Sequence, residues 1–251
     1  MLRLKQSIQA AIDSGIEPIT MRYKTVRSCE SGKTFALLTE MVLNSTELGE
    51  LKPDSYEIVA DRTVRSEKLS IWGITYAIRA LQKLKSEGIE IDFITLRCPA
   101  RAASESFART VERLFIKSDF EDNDKICLVF PNTLLFEAPE DFKEAFSILR
   151  RLNIKTMLSN FGEEYCPVMR FPLFSFDYVT IDSSQIDSIS VSSFTAIESL
   201  ITMIKNFGAT AIAIENNQKG SAPDLLQTGF LGYISKEPFK SLPEVIQDLK
   251  Q

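Results

Sequence analysis

Histidine is absent from this 251-residue sequence. Its absence removes the commonest general base and the commonest transition-metal ligand, so Ser-His-Asp and Cys-His chemistry is excluded. Any hydrolysis would have to rest on carboxylates, a lysine or oxygen-liganded metals. Cysteine is scarce as well: Cys29, Cys98, Cys127 and Cys166 stand far apart and form no CxxC pair. Neither a zinc ribbon nor a thioredoxin-type motif is encoded, and the thiols read as reduced and mostly buried. No apolar run approaches the ~18 residues of a membrane span. The opening MLRLKQSIQAAIDSG mixes charges with apolar positions where a signal peptide would be unbroken. A cytoplasmic protein with no membrane partner is expected. Repeats, low-complexity tracts and Pro/Gly/Ser-rich linkers are also missing, so residues 1–251 are expected to form one domain. Excess positive charge is lacking too. With 29 basic residues against 34 acidic ones the net charge is -5, and no nucleic-acid partner is expected.

Hydrophobic residues make up 44% of the chain, enough for a sizeable core. Short β-branched, apolar runs recur at 18–26, 34–42, 92–98, 125–130, 155–158, 178–181, 209–214 and 230–234, and read as strands. Between the later ones lie segments with apolar residues three and four apart, at 71–84, 103–116, 141–152, 193–204 and 242–249, which read as helices. Alternation of this kind implies a mostly parallel sheet, because each parallel crossover needs a connection long enough to hold a helix. Only the polar stretch from Arg27 to Lys33 separates the first two strands, so these pair as an antiparallel hairpin. Eight strands with helices in the gaps fit a closed barrel better than an open sheet. The heptad from Ser28 to Thr34 ends like a phosphate-binding loop. Arg27 holds the place of that motif's earlier glycine, and a strand follows where the motif needs a helix N-terminus, so we read a polar hairpin turn.

Read in order, the strand ends resemble the EAL domain of cyclic di-GMP phosphodiesterases, from about Pro18 to Pro238. GKTFALLTEM resembles the signature strand, with Ala36-Leu37-Leu38 kept, Phe35 for the glutamate and Thr39 for the ligand-contacting arginine. The stretch from Leu51 to Ala60, with Trp72 and Ala77, looks like the family's first helices. DFITLRCP carries Arg97 in place of a metal-binding asparagine. In KICLVFPNTLL the motif's two glutamates fall on Val129 and Asn132. Paired aspartates become Ser159 and Asn160, ahead of a retained Phe161-Gly162. In DYVTIDSS the lysine expected to assist the attacking water is Thr180, while Asp182 survives. Ile214 and Asn217 stand for two further glutamates; Glu215 could substitute only if the register slipped by one, which would turn it to the opposite face. Leu231, before Gly232-Tyr233, replaces a glutamine.

The resemblance implies an α/β fold, an EAL-type modified (β/α)8 barrel with an antiparallel first strand. In such a family two divalent cations held at the strand ends run the hydrolysis. Phe35, Val129, Asn132, Ser159 and Asn160 remove nearly all of the negative charge that would hold them. We therefore expect no catalytic residues, no metal and no cofactor, and the twelve positions form a vestigial pocket. Two readings of Arg97 stand: pairing with Asp182 or a nearby carboxylate, or extension of its head to solvent. Paired and half-buried, it would cost more on removal than the ~0–1 kcal/mol of an exposed arginine. With metals and arginine both lost, binding of cyclic di-GMP is not expected. The function implied is a catalytically inactive protein-interaction or regulatory module in bacterial cyclic di-GMP-related signalling. The alternative is a non-hydrolysing sensor using the altered pocket. A protein partner is expected but not identifiable, and a homodimer is expected because the resembled family commonly pairs near the sixth loop.

Overall fold

The alternating apolar runs become nine strands in the computed structural model, which describes residues 6, 19–45, 48–60, 65–163, 166–182, 191–214 and 222–250. The strands are β1 (Ile19–Ser28), β2 (Thr34–Ser45), β3 (Gly49–Leu51), β4 (Phe93–Arg97), β5 (Ile126–Pro131), β6 (Lys155–Ser159), β7 (Tyr178–Asp182), β8 (Thr210–Ile214) and β9 (Gly232–Ile234). The helices are α1 (Pro53–Ala60), α2 (Arg65–Ser86), α3 (Glu105–Ser118), α4 (Leu134–Glu137), α5 (Phe142–Arg151), α6 (Val191–Asn206), α7 (Ala222–Thr228) and α8 (Leu242–Leu249).

Strand order runs β1-β9-β8-β7-β6-β5-β4-β2-β3, and the β1–β2 pairing closes eight of the strands into a barrel. β1 is antiparallel to both of its neighbours, while β2 and β4 to β9 run parallel. The expected closed barrel with an antiparallel first strand is thus the fold. The β1–β2 turn is a polar hairpin: the Gly32 N–H donates to the Ser28 carbonyl at 2.9 Å, and the Ser28 hydroxyl accepts from the N–H groups of Glu30 and Ser31. Gly32 has φ +68, a conformation that glycine adopts at little steric cost. β3 was not legible in the sequence, since three residues are too few to show a period.

Alternation along the strands sorts the core into two compartments. Val26, Ala36, Phe93, Cys127, Val129, Met157, Ile212 and Ile234 fill the lumen. The residues between them, such as Ile94, Leu96, Leu128, Leu158 and Val179, face the helices in a larger cluster. α2 buries Leu69, Ile74, Ala77, Ile78, Leu81 and Leu84, the stripe that its helical period promised. Gly73 lets this helix lie close to β4, since a Cβ there would stand 3.3 Å from Cδ2 of Leu96. α3 starts at Ser104, whose hydroxyl accepts from the Phe107 N–H, and α8 starts in a capping box between Ser241 and Glu244.

Just beyond α2, Glu87 bonds Lys83 at 2.5 Å and Lys250, beyond α8, at 2.7 Å. Hydrogen bonds from Lys250 and then Lys83 pull its carboxyl from the usual 4.5 down to about 2. A depressed folded-state value means that the stabilisation is present above pH ~4.5 and lost as pH falls toward 2. Melting temperatures at pH 7 and pH 3 should therefore differ less in Glu87→Gln than in the native chain.

Candidate functional site

The parallel strands end at one rim. Arg97 closes β4, Pro131 closes β5 just before Asn132, Ser159 closes β6, Asp182 closes β7 and Ile214 closes β8. Arg97 lies four residues from lumen-facing Phe93 and so shares its face; Val129 follows Cys127, and Thr180 follows Tyr178, at two-residue spacing. Asn132, Asn160 and Thr180 join in one hydrogen-bonded set, with Ser159 bonded separately to β5 beside it. Nδ2 of Asn132 donates to the carbonyls of Asn160 (3.2 Å) and Glu163 (3.3 Å), the Ser159 hydroxyl donates to the Phe130 carbonyl, and the Asn160 N–H donates to Oγ1 of Thr180 at 3.0 Å. Asn160 takes a left-handed conformation at φ 55, which asparagine tolerates better than most residues.

The β2–β4 ladder stops at Leu37–Ile94. Beyond it, the Thr39 N–H donates to Oγ1 of Thr95 at 3.2 Å, and the Thr39 hydroxyl donates to the Thr95 carbonyl at 2.5 Å. A cavity of about 90 Å³ lies here, lined by Thr39, Arg97, Val129 and Ser159 from the barrel and by Tyr56 and Glu57 of α1. Nη2 of Arg97 stands 2.6 Å from Oε2 of Glu57. The acid that Arg97 meets therefore comes from a helix rather than from Asp182. The side chains are 52% and 22% exposed, so solvent screens the pair and its worth is about 0–1 kcal/mol. Chemical denaturation of Glu57→Gln should show a loss of no more than about 1 kcal/mol, less than a buried pair would give.

Phe35 and Leu231 lie elsewhere. Phe35 is the second residue of β2, its carbonyl accepts from the Asp92 N–H, and its ring meets Phe93 edge-on at 5.9 Å, all at the N-terminal end of the barrel. Leu231 directly precedes β9 at that same end. Asn217 and Glu215 fall outside the described residues. On β2 the lumen face passes from Ala36 and Leu38 to Glu40, the acid nearest the rim that the strand supplies. Two-residue counting from Leu38 would have found it. Across the hairpin, Lys24 pairs in register with Leu38; burial lowers its pKa, while Glu40 and Glu237 oppose that shift. Nothing in the sequence signalled Glu57.

Two oxygen-liganded cations would need several anionic ligands at this rim. Val129, Ser159 and Ile214 are neutral, and a guanidinium stands at the end of β4. Among the described residues no three His, Cys, Asp or Glu come together to hold a metal ion. The described groups do not fit a two-metal centre. Among the described residues no helix is long and apolar enough to cross a membrane.

The family profile of the EAL domain matches residues 5–221. No curated protein matches the chain in sequence. In structure the chain is similar to the EAL enzyme Bd1971 in a form bound to cAMP and cyclic-di-GMP, with TM-score 0.84 and 14% identity over 99% of this chain and 68% of that one. It is similar to the PaMucR phosphodiesterase in complex with c-di-GMP, with TM-score 0.79 and 12% identity over 97% and 99% of the two chains. The FimX EAL domain from Pseudomonas aeruginosa, bound to c-di-GMP, gives TM-score 0.79 and 14% identity over 95% and 97%.

Proposed function

Because the chain belongs to the EAL domain family, whose members are usually cyclic di-GMP phosphodiesterases, we propose that it is a catalytically inactive member, acting in the cytoplasm as a protein-interaction or regulatory module in cyclic di-GMP-related signalling. The observation that carries this reading is the rim itself: Arg97, bonded to Glu57, stands among the neutral Val129 and Ser159 where hydrolysis would need anionic ligands. A barrel without that chemistry acts through its surface. The 3-10 segment Val168–Leu173 after β6 exposes Met169 (86%) and Leu173 (50%), and it packs beside α4, which exposes Phe136. Apolar side chains gathered in this way mark a docking face. A second copy of the chain is the first occupant we propose.

Light scattering on the purified chain at micromolar concentration is the test: a dimer mass is expected, and Met169→Glu should shift it to monomer by placing a charge in the contact. A monomer at every concentration would leave the face to another protein and remove the homodimer. The sensor reading draws on FimX and its bound c-di-GMP. Against it, the cavity beside Arg97, at about 90 Å³, is well below the ~300–1,000 Å³ of usual ligand pockets. Calorimetry with cyclic di-GMP should give no heat of binding.

A further inference from the structure

The roomier concavity lies at the opposite end of the barrel. It has a volume of about 300 Å³ and opens between the last turn of α5 (Arg150), the start of β6 (Lys155), and the residues that lead into β5 (Asp124) and β7 (Asp177), with Phe146 as an apolar wall. That size falls in the range of small-molecule sites. Two cations and two carboxylates line it, and among the described residues no ion pair joins either cation to either acid. The Arg150 guanidinium has no hydrogen-bond or ion-pair partner there, whereas its neighbour Arg151 bonds Glu112 at 2.8 Å. Nζ of Lys155 donates to the backbone carbonyl of Asp124, and among the described residues no ion pair reaches the Asp124 carboxylate. Asp177 uses one oxygen, Oδ2, to accept from the N–H and hydroxyl of Thr156 at 2.7 and 3.2 Å. Among the described residues no hydrogen bond reaches its other oxygen.

The N-terminal face of such barrels is ordinarily a place of stability rather than chemistry. Asp124, Arg150 and Asp177 are solvent-exposed, so bridging them to one another would add only ~0–1 kcal/mol of stability, and they are not bridged. A simple anion entering the cleft would meet two carboxylates, and a simple cation would meet Arg150 and Lys155. A molecule that carries both charges satisfies all four groups. We propose that this cleft binds a small zwitterion of the free amino-acid type, its carboxylate on Arg150 and Lys155 and its ammonium on Asp124 and Asp177, with the side chain against Phe146. The site is for binding and not for catalysis, and it is independent of the proposed docking role.

The test is calorimetry on the whole chain with free L-amino acids one at a time, and with propionate and propylamine as single-charge controls. At least one amino acid should bind, and Arg150→Gln and Asp124→Asn should each weaken it by about tenfold or more, as the loss of a charge-assisted contact does. Both controls should bind at least about tenfold more weakly than the amino acid. Arg150→Lys, which keeps the charge, should retain part of the affinity, while Glu57→Gln, at the other end of the barrel, should leave it unchanged. The proposal is overturned if no amino acid binds at about 10 mM, a level that would still reveal a millimolar site. It is equally overturned if propionate binds as tightly, or if both charge-removing variants bind like the native chain.

Discussion

Purified protein incubated with cyclic di-GMP and Mg²⁺ or Mn²⁺ is expected to release no linear dinucleotide above a buffer control. The expectation follows from what bound metal has to supply. A bound dication lowers the pKa of its water and offsets charge on the transferring phosphate, effects that together span many orders of magnitude in rate. Supplying them requires anions to hold the metal, and the rim carries Val129, Ser159 and Ile214, with the Arg97 guanidinium bonded to Glu57. Glu40 and Asp182 are the acids that the described lumen face brings to the rim. Arg97→Asn alone should therefore stay inactive, since it removes a repelling charge and adds no carboxylate. Metal-dependent turnover by the native chain, abolished in Asp182→Asn, would sink this reading by showing that the surviving acids suffice.

The barrel was legible because its signal is repeated. Eight apolar runs with amphipathic segments in the later gaps left few other topologies, and the short polar stretch at 27–33 allowed only a hairpin. The strand ends were legible to within one residue where the pattern brackets them on both sides: Arg97, Ser159 and Asp182 close β4, β6 and β7, against expected ends at 98, 158 and 181. β2 misled. It runs for twelve residues, from Thr34 to Ser45, and Ala36-Leu37-Leu38 match the signature strand at its N-terminal rather than its rim end. Apolar identity in a long strand says little about height along the barrel axis. Pairing does say it, and the Ala36–Phe93 register puts Phe35 at the base. The Arg97–Glu57 contact was invisible for a different reason: it joins residues forty apart in sequence, on a strand and a helix, and no local pattern records it.

Phe93→Ala should be the most damaging single truncation in the lumen, costing about 3–5 kcal/mol in denaturant unfolding. Phe93 is fully buried, packs on Tyr178 with ring centroids 4.7 Å apart and planes tilted by 37°, and meets Phe35 edge-on at 5.9 Å. The same floor holds Gly232, where a Cβ would come within 2.5 Å of the Arg27 carbonyl oxygen and 2.6 Å of the Phe35 ring, so the packing around Phe35 is tight. This packing also gives Phe35 a role, and Phe35→Glu separates two views of it. If Phe35 stood at the rim in the place of a metal ligand, the glutamate would be tolerated there and would bring Mn²⁺ binding with it. Placed at the floor against Phe93 and Gly232, a half-buried carboxylate meets mainly aromatic rings, with the Lys155 ammonium over Phe93 the nearby cation, and the expected loss is about 1–3 kcal/mol with no gain in metal affinity. Paired unfolding curves with and without Mn²⁺ decide between them. A variant as stable as the native chain, or one that Mn²⁺ stabilises, would return Phe35 to the rim and undo the β2 register that puts Glu40 there instead.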